Sequence, residues 1–486
     1  MENKKVSRDM SPADFRTYGY KMVDWIANYF ETLEEKPVLP SINPGDIMKK
    51  LPDFPPVYSE SMDEIIGDID KIIMPGMTHW NHPDFMAYFN STSSYPGILA
   101  EFLSAAFNIN GMLWRTAPSS NELERVTLNW LKQMIGIPEN FWGIIYDTAS
   151  VSSLHAIAAA REQVPGLQIR EKGMAGRKDL FPLRLYCSEQ AHSSIDKAAI
   201  TLGIGMEGIR KIPVDRDFRI IPAELSRIIS EDKQNGWLPF CVVATVGTTS
   251  TTSIDPIREI GEICMKEGLW LHVDSAYGGT LAIVPEMKFI LDGIELADSI
   301  VVNPHKWMFT PIDLSAFYTK KPDVLKKAFS LVPEYLKTDE DNEAENLMDY
   351  GIQLGRRFRS LKLWFVIRYF GVDGIINILR DHIRLAKLFA EWIDAYPKFE
   401  RIAPVNFGVV CFRLHPPEIN DEKKLNELTE NLVNVINQTG KLFISHTKID
   451  GIYIIRICIS GLRTEERHVK NAWILIRKEA EKLLLK

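Results

Sequence analysis

Ile300-Val301-Val302-Asn303-Pro304-His305-Lys306-Trp307 is the stretch on which the reading of this chain turns. The apolar run at its start is a buried strand, so Lys306 sits just past that strand's end. Most lysines are solvated surface charges. One set between His305 and Trp307 behind a core strand is a candidate for partial desolvation, which lowers an amine's pKa and readies it to attack an aldehyde. Upstream, His272-Val273-Asp274-Ser275-Ala276-Tyr277 places a carboxylate at the end of another apolar run. Singly, Asp274 reads as a helix cap or a surface ion pair. A carboxylate at one strand end and a lysine at the next together meet the needs of pyridoxal phosphate: a partner for its pyridine nitrogen and an amine for its aldehyde.

Working outward, short apolar runs at Gly143–Tyr146, Arg184–Cys187, Phe240–Val246, Trp270–Val273 and Ser299–Val302 alternate with helical patterns from about residue 95 to 320. That alternation specifies an α/β fold with a mainly parallel sheet covered by helices, and ligands bind such sheets beyond the carboxyl ends of the strands. Before it, Ser11-Pro12-Ala13-Asp14 starts a helix with Phe15, Tyr18, Met22, Ile26, Tyr29 and Leu33 on one stripe, followed by a proline-rich stretch. Such a segment cannot fold alone and is expected to pack on a partner subunit or on the main domain. After about residue 365, Val409–Leu414, Leu442–Thr447 and Ile452–Ile459 read as strands, the last two joined at Asp450-Gly451, and a helix from about Glu465 closes a small α+β domain. The expected division is 1–94 (N-terminal helical dimerisation segment), 95–363 (large cofactor-binding domain) and 364–486 (C-terminal small domain).

At 486 residues, 45% hydrophobic and 25% charged, the chain has a globular composition, and its net charge of -7 argues against nucleic acid as a partner. Five cysteines without a C-x-x-C pair fit a reducing compartment. The N-terminus leads into no signal-like apolar region and no segment approaches the length of a membrane span, so a cytoplasmic protein without membrane association is expected.

Other residues fall at strand ends. His192, in Gln190-Ala191-His192-Ser193-Ser194, is placed to lie on a cofactor ring or, equally, to be satisfied locally at a helix start. Thr148-Ala149-Ser150 opens a helix and reads equally as an ordinary helix cap or as a phosphate site of small and hydroxylated residues, and Gly247-Thr248-Thr249 offers similar groups at another strand. His79-Trp80-Asn81-His82 lacks the companions of a metal site and reads as pocket lining, so no metal is expected. The acidic run at Asp339-Glu340-Asp341 and Glu343–Glu345 reads as a solvated loop headed by Tyr335, a candidate lid.

Together these residues resemble the pyridoxal-phosphate-dependent aromatic L-amino-acid decarboxylases of the group II family. Matching stretches run in order from Ile73-Met74-Pro75-Gly76 and Ser94-Tyr95-Pro96 through Ala244-Thr245-Val246-Gly247-Thr248-Thr249 and Asn303-Pro304-His305-Lys306-Trp307 to Gly355-Arg356-Arg357-Phe358-Arg359-Ser360. The resemblance implies a type I fold with a mainly parallel seven-stranded large domain, and a homodimer with its site at the interface and an exchanged N-terminal segment. It implies that Lys306 carries the cofactor as a Schiff base, Asp274 partners its ring nitrogen, Ala276 lies against the ring and His192 stacks on it and meets the substrate carboxylate. Thr148, Ala149, Ser150, Thr249, Asn303 and His305 complete the cofactor contacts. Tyr335 matches a loop tyrosine that protonates the α-carbon, and Trp80, Tyr88, Phe89, Ser91, Met112 and Gly355 fall in the substrate pocket. The implied reaction converts an aromatic L-amino acid (the tryptophan, DOPA, phenylalanine or tyrosine class) to its amine and carbon dioxide. Oxidative decarboxylation–deamination to an aldehyde is the alternative, and it accompanies loss of the loop tyrosine or the histidine in the family; a silent cofactor-binding protein ranks below both. Departures are Asp147 at a usual glycine beside the phosphate turn, Met112 at a usual aromatic, Asn90 at a usual proline, Tyr350 at a usual tryptophan and Arg115 at a usual small residue. A glycine at 355 goes with indolic or catecholic substrates in the family.

Overall fold

The computed structural model describes residues 9–331 and 344–485. A two-residue strand, β1 (Phe85–Met86), precedes β2 (Trp142–Tyr146), β3 (Leu183–Ser188), β4 (Ile209–Ile212), β5 (Leu238–Thr245), β6 (Trp270–Asp274), β7 (Ser299–Val302) and β8 (Ser315–Thr319); β9 (Phe399–Arg401), β10 (Val409–Leu414), β11 (Phe443–Ile449) and β12 (Ile452–Cys458) follow. The seven strands β2–β8 form one sheet in the order β2-β8-β7-β6-β5-β3-β4. Within it only β8 runs against its neighbours; the β3–β4, β3–β5, β5–β6 and β6–β7 pairs are parallel. The expected mainly parallel seven-stranded α/β sheet is therefore present. Every residue of β3, β6, β7 and β8 is buried, as a sheet covered on both faces requires.

All five expected strands of the large sheet form, each within two residues of its expected ends. Two further strands join them. β4 carries Arg210 and Lys211 and occupies the sheet edge, where charge is tolerated on the open side.

The second sheet, β1-β11-β12-β10-β9, is antiparallel apart from the β1–β11 pair. Asp450 and Gly451 join β11 to β12 with φ of 51° and 81°, the left-handed pair that a two-residue hairpin requires. β1 belongs to the stretch expected as part of the N-terminal segment, so residues 85 and 86 are bound into the C-terminal sheet. The expected boundary at 363/364 falls inside the helix Ser360–Asp394, which is interrupted at Gly371 (φ 66°, ψ 167°).

The helix Pro12–Glu31 begins as expected: Ser11 Oγ accepts the Asp14 N–H at 3.1 Å. It buries none of its residues. Its later half touches the rest of the chain through Trp25 Nε1 to Asp70 (3.1 Å) and Phe30 against Tyr95 (5.1 Å between ring centres), while Phe15 and Tyr20 stay exposed. All five cysteines are free and buried. No helix among the described residues is long and apolar enough to cross a membrane.

Candidate active site

A cavity of about 400 Å³ lies at the carboxyl ends of β2, β3, β5, β6 and β7, roofed by the second sheet. Each wall is the first stretch of chain after a strand. Thr148, Ala149 and Ser150 follow β2, His192 follows β3, Gly247 and Thr249 follow β5, Asp274 and Ala276 end β6, and Asn303, His305 and Lys306 follow β7. Tyr88 and Phe89 enter from the stretch after β1, and Ser445, His446, Thr447 and Arg456 from β11 and β12. Thirteen residues singled out above thus share one hollow.

The local geometry explains how each is held. Ala149 and Ser150 are the first two residues of the helix Ala149–Gln163; N–H groups at such positions have no acceptor within the helix and form an anion cradle. Gly247 turns the chain after β5 at φ 90°, where a Cβ would lie 3.2 Å from the Gly278 nitrogen, so both the conformation and the space call for glycine. Asp274 Oδ1 accepts the Ala276 N–H at 3.1 Å. His192 Nδ1 accepts the Ser194 N–H at 3.2 Å and lies 2.9 Å from Ser194 Oγ. In the neutral ring that leaves the proton on Nε2. His305 Nδ1 accepts the Leu314 N–H at 2.9 Å.

Electrostatics follow from burial. Lys306 is half-buried, and the surface it keeps opens into the cavity; burial pushes its amine below the ordinary lysine value, Asp274 pulls it up, and Arg456 pushes it down again. His192 keeps an open face, yet desolvation by its surroundings lowers its pKa, against a smaller pull from Asp274. His305 is pushed down to about 4, chiefly by burial and then by Lys306.

Asp147 does not line the cavity. Its carboxylate accepts the Thr148 N–H (2.7 Å) and a Gln353 Nε2–H (2.9 Å), which turn it aside from the cradle. Trp80, Ser91, Met112 and Gly355 do not line it either. Trp80 stacks on Tyr88 at 5.9 Å, one ring removed, and Ser91 is half-buried outside the lining. Met112 packs with Leu113 and Met348, and Gly355 sits in a separate open hollow beside Asn110 and Arg357. Tyr335 lies outside the described residues. Glu345, read as part of a solvated loop, is instead tied to Arg125 and to Trp142 Nε1 (3.0 Å).

Sequence reasoning passed over Thr245, Ser250, Tyr277, Ser445, His446, Thr447 and Arg456. Arg456 carried a signal: a lone charge inside Ile454-Ile455-Arg456-Ile457-Cys458, where burial of an arginine calls for a reason.

The cavity fits pyridoxal phosphate on its own features. It offers a half-buried amine, a buried carboxylate and a helix N-terminus, and Asn303 Oδ1 and Thr245 Oγ1 are buried without a hydrogen-bond partner among the described residues. Buried polar atoms left without protein partners mark a place for a ligand or water.

A fold with a lysine and a carboxylate at adjacent strand ends and a phosphate cradle opposite defines a pyridoxal-phosphate enzyme. Residues 44–415 match the pyridoxal-dependent decarboxylase conserved domain. The chain is 41% identical to phenylacetaldehyde synthase of Arabidopsis thaliana over 100% of both proteins, and 39% identical to tryptophan decarboxylase 2 of Oryza sativa subsp. japonica over 98% of this chain and 96% of that one. The solved structure of Oryza sativa TDC with PLP and tryptamine superposes with a TM-score of 0.94 at 34% identity, covering 98% of this chain and 100% of that one. The chain belongs to the pyridoxal-dependent decarboxylase family, and its cofactor is pyridoxal phosphate.

Proposed function

We propose that the protein decarboxylates an aromatic L-amino acid, giving the corresponding amine and carbon dioxide. The observation that carries this reading is the single cavity joining Lys306, Asp274, His192 and the Thr148–Ser150 cradle. When bound there, pyridoxal phosphate supplies an electron sink for the bond from the α-carbon to the carboxylate. Lys306, whose amine burial holds below the ordinary lysine value, would be the residue that holds the cofactor's aldehyde. Asp274, buried at the end of β6, holds a proton on the ring nitrogen, which keeps the sink electron-poor. Ala276 leaves room for the ring. Thr148, Ala149, Ser150, Thr249, Asn303 and His305 hold the phosphate side. His192 offers Nε2–H to the substrate carboxylate and covers the ring. Tyr335 delivers the proton to the α-carbon; this role rests on the family resemblance.

The reading includes a homodimer. Met112 and Gly355, expected against the substrate, lie outside the cavity of their own chain, and Phe15, Tyr20, Ile352 and Leu354 expose apolar surface. A second copy that covers this surface brings Met112 and Gly355 to its neighbour's cavity. Gly355 would then leave space for an indole or catechol ring; a Cβ there meets only Asn110 Nδ2, at 3.8 Å, in its own chain.

Aldehyde formation is the second reading, favoured by the identity to phenylacetaldehyde synthase. Tyr335 and His192 are both present, which places amine formation first. Carbon dioxide release and product identity over a panel of tryptophan, DOPA, phenylalanine and tyrosine test both. Amine in step with carbon dioxide supports the proposal, aldehyde with hydrogen peroxide replaces it with the second reading, and no carbon dioxide from any of them refutes both.

A further inference from the structure

Arg456 is the charged residue of the cavity to which the chemistry above gives no task. It projects from β12, is 4% exposed, and donates through Nη1 to the carbonyl oxygen of Tyr88 at 2.5 Å. Its guanidinium lies 4.5 Å from the centre of the Phe89 ring. Nε and Nη2 are buried without a partner among the described residues. Elsewhere in the chain that same edge grips carboxylates, as Arg258 does Asp292 and Arg380 does Glu286. No carboxylate among the described residues pairs with Arg456. A buried guanidinium without a counter-charge is costly, and its place beside the proposed catalytic lysine points to what it is for.

Phe89 is the shared neighbour. Its ring stacks on Tyr277 at 3.8 Å, and Lys306 Nζ lies 5.1 Å from its centre. Tyr88, immediately before it, has φ of 52°, a left-handed conformation unfavourable for a bulky side chain. That turn is held from both sides by the second sheet: Arg456 takes the Tyr88 carbonyl, and Ser445 Oγ accepts the Tyr88 N–H at 3.2 Å.

We propose that Arg456 is a positioning residue for Lys306, clamping the Tyr88–Phe89 turn against the lysine and keeping a permanent positive charge beside its amine. The inference rests on Lys306 being the cofactor-bearing lysine. A guanidinium does not shed its proton in a protein, whereas a lysine does. Of two cations in one cavity, the lysine is the one that yields. Asp274 works against this from β6; His192 and His305, depressed by burial, add no fixed charge, and His446 stands at the mouth on β11. The direction agrees with the lowering that Arg456 exerts on Lys306. It makes the second sheet a contributor to the chemistry of the first.

The test uses the full-length holoenzyme. The pH midpoint of its visible absorption band reports proton affinity at the lysine–cofactor link, and kcat and KM are measured alongside. In Arg456→Met the midpoint should rise by about one pH unit, a tenfold change in proton affinity. Arg456→Gln removes the charge but keeps an N–H donor for the Tyr88 carbonyl; its midpoint should rise as in Arg456→Met. A merely structural role lowers the yield of holoenzyme and leaves the midpoint of what remains in place. An unmoved midpoint in Arg456→Met therefore overturns the proposal. Should that variant fail to accumulate, Arg456→Gln decides: an unmoved midpoint overturns the proposal, and an upward shift supports it. A wild-type protein with no visible band or no carbon dioxide release contradicts the proposed function instead, whatever the variants do.

Discussion

Asp255 offers a pH-dependent stability that can be isolated from every other titrating group. It is fully buried; Oδ1 accepts the Ile220 N–H and Oδ2 the Thr245 N–H, both at 2.8 Å. Thr245 ends β5 in the cavity wall, so this carboxyl anchors the strand end that leads to Gly247 and Thr249. Burial outweighs the two hydrogen bonds and raises the pKa from the ordinary 3.8 to about 7. The sign follows. At pH 5 the unfolded chain has lost this proton and the folded chain still holds it, so each unit of rising pH favours the unfolded state by about 1.4 kcal/mol until the folded carboxyl also ionises. From pH 5 to pH 7, where the folded carboxyl is half ionised, the loss is about 2 kcal/mol, and it levels off near ~3 kcal/mol by pH 8. Asp255→Asn resembles the protonated acid in shape and charge but cannot ionise. Its amide nitrogen takes the place of one accepting oxygen and leaves one of the two backbone N–H groups facing a donor, so at pH 5 the variant should be the less stable by about 1–3 kcal/mol. By pH 8 the variant should have gained about 3 kcal/mol on the wild type. Taking the difference cancels Asp84, also raised to about 7 by burial, and all other groups common to both. Urea unfolding of the cofactor-saturated proteins at pH 5, 6, 7 and 8, followed by tryptophan fluorescence, measures it. A difference that is flat over this range, or that moves toward the wild type, refutes the assignment of a neutral buried carboxyl.

Three further outcomes are expected. Lys306→Ala should lose the visible band near ~420 nm, a property of the cofactor joined to an amine, and should release no carbon dioxide above background; a retained band would mean that another amine holds the cofactor. In Tyr335→Phe, amine formation should slow by roughly 10²–10⁴-fold, the usual worth of a positioned proton donor, with product shifting toward aldehyde, and an unchanged amine yield in chromatography would remove Tyr335 from its role. Glu124→Ala strands the buried Arg356, which Glu124 pairs at 2.6 Å while also accepting the Ile145 N–H at 2.8 Å. Breaking such a pair should destabilise the protein by about 3–5 kcal/mol, and calorimetry showing no fall in Tm would count against it.

Much of the cavity was legible in the sequence because a parallel sheet makes its site from short local pieces. Asp274, Lys306, His192 and the Thr148–Ser150 cradle each lie within a few residues of a strand whose apolar run marks its end. The strand gives the position and the next residues give the chemistry. β4 and β8 were missed for local reasons: Ile209–Ile212 carries two basic residues on a sheet edge, and Ser315–Thr319 is a short run of small and aromatic residues without alternation. Asp147 could be flagged as a threat to the cradle, but the Gln353 amide that turns it away lies far along the chain.

What stayed hidden is the part of the site that depends on long-range pairing. β1 is two residues long and exists because β11 offers its edge; nothing in Phe85-Met86 alone marks a strand. Yet this pairing carries Tyr88 and Phe89 to the lysine, and the β11–β12 register sets Ser445 opposite Arg456, so one hairpin grips the Tyr88 N–H and the Tyr88 carbonyl together. A shift of one residue in that register would turn Arg456 to the opposite face of the sheet, withdrawing both the clamp and the charge. The register is held by burial on both faces of β12, where every residue after Ile452 is buried. The apolar residues around Arg456, which in sequence made it look misplaced, are therefore what keep its guanidinium pointed at the cavity.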